Sequence, residues 1–163
     1  MHLYAMMKLI ILASLLSLSV YAQEGKKIME PIHRVFEGMT NNDSAMVRRG
    51  FHPAAVLHTV LNDPTTNQPL LRNETLASFL KSVGTPHKEV YNELIWGEKI
   101  EVDGDFAQVW VDYAFYLNKN FNHCGVDAFH LIRDGKGEWK IYSLSDTRRK
   151  VGCEVPKEIS DRM

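Results

Sequence analysis

Three long runs rich in aromatic and β-branched residues, all between Phe106 and Arg149, constrain this chain most. The first is Phe106 to Leu117, the second Phe121 to Arg133, and the third Glu138 to Arg149. Asn118-Lys119-Asn120 separates the first pair, and Asp134-Gly135-Lys136-Gly137 separates the second. Long apolar runs joined by short turn clusters predict an antiparallel meander. Strands of this length in a chain of 163 residues predict one strongly curved sheet, with the preceding residues supplying what it wraps around.

The preceding residues read as helices, with strands between them. Ile28, Ile32, Val35, Phe36 and Met39 recur at helical spacing and predict one apolar stripe. Pro31 suits the first turn of a helix starting near Glu30. Asn42 or Asp43 caps a short second helix, Ser44 to Arg49, which Gly50 closes. Val56 to Leu61 predicts the first strand, and Asn62 to Pro69 a turn or open hairpin tip. Asn73 is read as the cap of a third helix carrying Leu76, Phe79, Leu80 and Val83. Glu89 to Val102 is a long strand with Ile100 and Val102 on one face, Lys99 and Glu101 on the other. Helices gathered on one face of an antiparallel sheet make an α+β domain, and a curved sheet closed by helices leaves a cavity.

Lys8, the apolar run Leu9 to Val20 and the ending Val20-Tyr21-Ala22 have the pattern of a secretory signal peptide over residues 1–22. Met7 serves as well as Met1 as its start. The apolar run is short for a membrane span, and no nucleic-acid footprint accompanies a formal net charge of −1 with 24% charged residues. The expectation is one domain over residues 23–163, core about 26–153, in a periplasmic or extracellular setting. Cys124 and Cys153 would then lie in an oxidising compartment, either bridged or as two free thiols.

Taken together, Phe36-Glu37-Gly38 with Asn42-Asp43, Phe51-His52-Pro53-Ala54-Ala55, His123 to Asp127, Trp139-Lys140-Ile141 and Asp146 to Arg149 resemble a known pattern. The chain is similar to the nuclear transport factor 2-like superfamily, with its cystatin-like α+β cone, and within it to the bacterial putative lumazine-binding branch. That resemblance implies a pocket and often a homodimer formed through the sheet, but no particular activity, because the superfamily hosts isomerases, dehydratases, hydrolases and plain binders. The ketosteroid isomerase pattern departs here. The first strand offers Leu57, His58, Thr59 and Val60 but no carboxylate; Asp63-Pro64 falls in the turn, and Phe129 stands where those enzymes carry their second Asp.

A two-residue Gly135-Lys136 turn puts His123, Asp127, Phe129 and Leu131 on one face with Tyr142, Leu144, Asp146 and Arg148. The opposite face then carries Val126, Ala128, His130 and Ile132 with Trp139 and Ile141, also mostly apolar. Both faces call for cover, one by helices and one by a partner subunit or a terminal segment. The expected ligand-binding set is His58, Trp96, Tyr113, His123, Asp127, Phe129, Asp146 and Arg148. Within it, His123, Asp127 and His58 are the catalytic candidates, since a neutral His beside a carboxylate is a proper general base. A purely structural polar network is the competing reading of the same residues. No metal or other cofactor is expected. Adjacent His123 and Cys124 diverge across a strand, no zinc spacing occurs, and no phosphate-cradling loop or Gly-x-Ser-x-Gly elbow is found. The expected function is binding of a small, partly apolar molecule. The alternatives are a cofactor-free lyase or isomerase using a His/Asp pair, and a structural or partner-binding module with a collapsed cavity.

Overall fold

The computed structural model describes residues 22–163. The leader expected over residues 1–22 lies outside the described residues except for Ala22, which is already helical. Helix α1 (residues 22–40) starts well before Glu30, so Pro31 sits inside it rather than in its first turn. The Pro31 ring nitrogen cannot donate to the Lys27 carbonyl, and the helix continues across that gap because its apolar stripe is deeply packed. Ile28, Ile32, Val35, Phe36 and Met39 are all buried, as the spacing predicts.

Asn42, at a positive φ of 55°, turns the chain, and the Asp43 side chain accepts from the Met46 N–H to cap helix α2 (Ser44–Gly50). Strand β1 (Phe51–Asn62) begins at once and runs through His52-Pro53, earlier than the pattern suggests. The segment read as a turn and helix cap holds a second strand, β2 (Pro69–Thr75), which pairs antiparallel with β1. Thr75, not Asn73, therefore caps helix α3 (Leu76–Gly84), accepting from the Ser78 N–H.

Strands β3 (Tyr91–Asp103), β4 (Phe106–Leu117), β5 (Asn120–Arg133) and β6 (Trp139–Arg148) form the expected meander. The six strands lie in the order β2-β1-β6-β5-β4-β3, a curved and unclosed sheet. All neighbours are antiparallel except β1 and β6, which run parallel, so the sheet is mixed at that one junction. The helices and the inward side chains of β1 and β4–β6 share one hydrophobic core, with Phe129, Leu131 and Ile141 fully buried.

Cys124 and Cys153 are joined in a disulfide, Cα–Cα 6.0 Å. The bridge holds the segment after β6 against β5, where Cys124 and Arg149 also exchange two backbone hydrogen bonds of 2.9 Å. A short helix α4 (Lys157–Ser160) follows and buries Ile159. Among the described residues, no helix is long and apolar enough to cross a membrane.

Candidate functional site

The concave side of the sheet and the helices enclose an open cavity of about 320 Å³. Its apolar wall comes from α1 through Val35, Phe36 and Met39, and from α3 through Phe79 and Val83. Phe115 and Leu144 continue that wall on the sheet. Its polar end is built where β3, β4, β5, β6 and β1 converge.

Register explains how this end is assembled. Asp127 of β5 faces Asp146 of β6, and Thr59 of β1 faces the same Asp146 from the other side. Asp146 is well served: the Thr59 hydroxyl donates to Oδ1 at 2.6 Å, and Arg148 Nε donates to Oδ2 at 2.7 Å. The Tyr113 hydroxyl stands 3.4 Å from Oδ2 and donates at 2.8 Å to the Thr147 carbonyl. Gly125 makes this packing possible. A Cβ there would lie 1.7 Å from the Thr147 carbonyl oxygen and 2.7 Å from the Tyr113 ring. Only a residue without a side chain lets β6 and that ring approach so closely.

Asp127 is placed differently. It is 2% exposed, and its Oδ2 has no hydrogen-bond partner. Its interaction partner is another carboxyl, Glu93 of β3, reached across the cavity end. Burial, the Glu93 charge and a hydrogen bond to Glu93 hold the Asp127 carboxyl well above the usual range. Glu93 is raised to about 7, chiefly by burial, with the Asp146 charge adding and the Asp127 hydrogen bond opposing. Glu93 keeps part of its surface on the open cavity while its carboxyl is enclosed by protein. Two acids so placed hold a proton between them, which gives the pair one hydrogen bond and one negative charge.

His123 lines the cavity but has no carboxylate partner. Its Nδ1 pairs with Asn122 Oδ1 at 2.8 Å, and its ring packs on Tyr113 and Phe115 with centroids 5.6 and 5.0 Å away. Burial, with the Arg148 charge, lowers it to about 4, so the ring is neutral at ordinary pH. Burial raises the Tyr113 phenol, keeping it protonated. Burial opposes the Arg148 charge, but the hydrogen bond and charge of Asp146 outweigh it and raise Arg148 above its ordinary value.

Of the residues expected at the site, Tyr113, His123, Asp127, Asp146 and Arg148 meet on the cavity wall. His58 borders the cavity as well, on β1 between the buried Leu57 and Thr59. Two do not take the expected place. Trp96 lines a separate depression with Asp112 and Arg149. Phe129 is fully buried behind the wall, edge-on to Phe36. Tyr142 also leaves the predicted face: a bulge between His130 and Leu131 pairs Leu131 with Ile141, so Trp139 and Ile141 turn inward.

Glu93 and Thr59 are the residues that sequence reasoning missed. Tyr91-x-Glu93-x-Ile95 places a carboxylate on an otherwise apolar strand face, which is the signal that could have found Glu93. Among the described residues, no three His, Cys, Asp or Glu side chains come together as a metal site.

An α+β cone with a cavity between its helices and its sheet is the architecture of nuclear transport factor 2-like proteins. The chain belongs to the family described as "Putative lumazine-binding", which matches residues 23–144. Among solved structures, it is similar to a nuclear transport factor 2-like protein of unknown function from Shewanella baltica: TM-score 0.61, 19% identity, 80% of this chain and 97% of that one. A protein of unknown function from Mycobacterium tuberculosis gives TM-score 0.65 at 13% identity, covering 83% and 77% respectively. A nuclear transport factor 2-like protein with a cystatin-like fold from Novosphingobium aromaticivorans gives 0.62 at 11%, covering 91% and 96%. At these identities the likeness is one of fold. No curated protein matches the chain.

Proposed function

We propose that this protein binds a small, partly apolar molecule inside the cone and holds it without a cofactor. The observation that carries this reading is a cavity of about 320 Å³ with an apolar wall and a polar end, where the buried Asp127 meets the Glu93 carboxyl and its Oδ2 receives no other side-chain donor. A volume in that range suits a small ligand, and a few convergent polar groups on an apolar wall are what fixes one in place. The family description points the same way.

A second reading, acid–base catalysis of a lyase or isomerase type, draws on the Glu93–Asp127 pair, since Glu93 at about 7 is matched to proton transfer near neutrality. Any base in that reading is a carboxylate rather than His123, which is held near 4.

Export and dimerisation belong to the same proposal. The leader-like residues 1–22 and the Cys124–Cys153 bridge support an oxidising periplasmic or extracellular setting. Trp110, Phe106 and Ile132 remain 49%, 39% and 41% exposed on the outer face of the sheet, which supports a homodimer closed through that face.

Native mass spectrometry of the mature protein, followed by denaturing extraction, tests both parts. The expected result is a dimer that releases one small molecule per subunit on denaturation. An empty protein whose cavity also takes up no neutral apolar dye overturns the binding reading. A monomer at micromolar concentration overturns the dimer.

A further inference from the structure

The acids at the polar end are not equivalent. Asp146 accepts from Thr59 and Arg148, whereas the Asp127–Glu93 pair receives no donor from any side chain of the described residues. Asp127 is nearly fully buried and lines the cavity beside Glu93, so a further donor to this carboxyl pair has to come from the cavity. We propose that the Glu93–Asp127 pair receives the protonated nitrogen of an amine, whose apolar remainder lies along the wall formed by α1 and Leu144. This rests on the reading of the cavity as a small-molecule site and names the chemical class that the site takes.

Charge supports an amine over other polar heads. The groups facing the pair are Tyr113 from β4, His123 from β5, Asp146 and Arg148 from β6, and Thr59 from β1. Glu74 of β2 adds a further carboxylate to the wall, while α1 and α3 present apolar residues and Ser82. His123 is uncharged and Arg148 is already paired with Asp146, so the cavity carries excess negative charge. An anionic head would meet several carboxylates without a free cation. An alcohol supplies one donor but leaves the charge unbalanced. An ammonium supplies up to three donors and the charge together. Its N–H groups replace the proton held between Glu93 and Asp127, and that proton leaves to the solvent.

The test uses three matched probes: 2-naphthylmethylamine, 2-naphthalenemethanol and 2-naphthoate. Calorimetry on the folded mature protein at pH 6, in two buffers of different ionisation enthalpy, reads affinity and proton release together. The amine is expected to bind about tenfold more tightly than the alcohol, naphthoate most weakly, and amine binding to release close to one proton per site. Asp127→Asn and Glu93→Gln, each checked for an unchanged circular dichroism spectrum, should each remove most of the preference for the amine. Equal affinity for amine and alcohol, preference for naphthoate, or an unchanged amine preference in both variants overturns the inference and leaves the cavity as a binding site. If none of the three probes binds and Nile red is also refused, both this inference and the binding reading fail.

Discussion

The inner face of the β5–β6 hairpin has two ends that handle burial in opposite ways. Near the turn, Leu131 and Ile141 pair and are fully buried, and next to them Phe129 meets Phe36 edge to face. That end is closed hydrocarbon. Only a few residues away, Asp127 and Asp146 occupy the same inward rows as directly paired residues. One of these aspartates is bound into a network and the other is left without a donor. Packing at the turn end fixes where the strands lie, so the far end can hold a costly carboxyl pair in position. Within the polar end, the Glu93–Asp127 pair therefore contributes little to stability and is the part available for function.

The contrast is broken most severely at the turn end. Phe129→Ala should destabilise the protein by about 3–5 kcal/mol in urea unfolding, because it leaves a cavity in the shared hydrophobic core. Asp146→Ala ranks next, at about 2–3 kcal/mol, since Thr59 loses its acceptor and Arg148 its counter-charge. Arg148 is 42% exposed at its side chain and can rehydrate, which keeps that loss below the core value. Asp127→Asn should do the reverse: at pH 8 it should leave stability unchanged or raise it by up to about 1 kcal/mol. The substitution removes a buried like charge beside Glu93 and supplies an amide donor. If Asp127→Asn is as damaging as Asp146→Ala, the two aspartates are equivalent structural groups and the comparison fails.

How far the sequence reveals this arrangement depends on the period of each strand. The pairing of Asp127 with Asp146 follows from the Gly135-Lys136 turn and is legible, because β5 and β6 keep one register over 127–130 and 143–146. Tyr142 and Ile141 are misplaced by the same reading, since the bulge at His130/Leu131 shifts every residue toward the turn by one. Glu93 is hidden by the same kind of feature. Gly97, at a φ of 66°, marks an irregularity between Trp96 and Lys99 that reverses the parity of β3. Ile100 and Val102 therefore share the inner face with odd-numbered Glu93 and Ile95, and alternation carried back from Ile100 puts Glu93 outside. The stripe of α1 has no such interruption, and all five of its residues are buried as read.

The smallest expected effect, and the sharpest test of the comparison, is the dependence of stability on pH. Glu93 and Asp127 bind protons more tightly in the folded state, so their contribution is complete at low pH and is lost as pH rises, for Glu93 from about 4.5 to about 7. His123 acts in the opposite sense. Its folded value of about 4 lies below the ordinary 6.5, so stability is lost as pH falls across that interval. The two trends oppose each other between about pH 4.5 and 6.5, and above that only the carboxyl decline remains. His123→Asn should therefore expose a decline beginning near pH 4.5. Glu93→Gln should leave a rise toward pH 6.5 and a shallower fall beyond it. Differences on the order of 1 kcal/mol between the curves are expected, read from urea midpoints at half-unit steps. If both variants trace the parent curve, the polar end does not store protons as its geometry implies, and Asp127 has a partner other than Glu93.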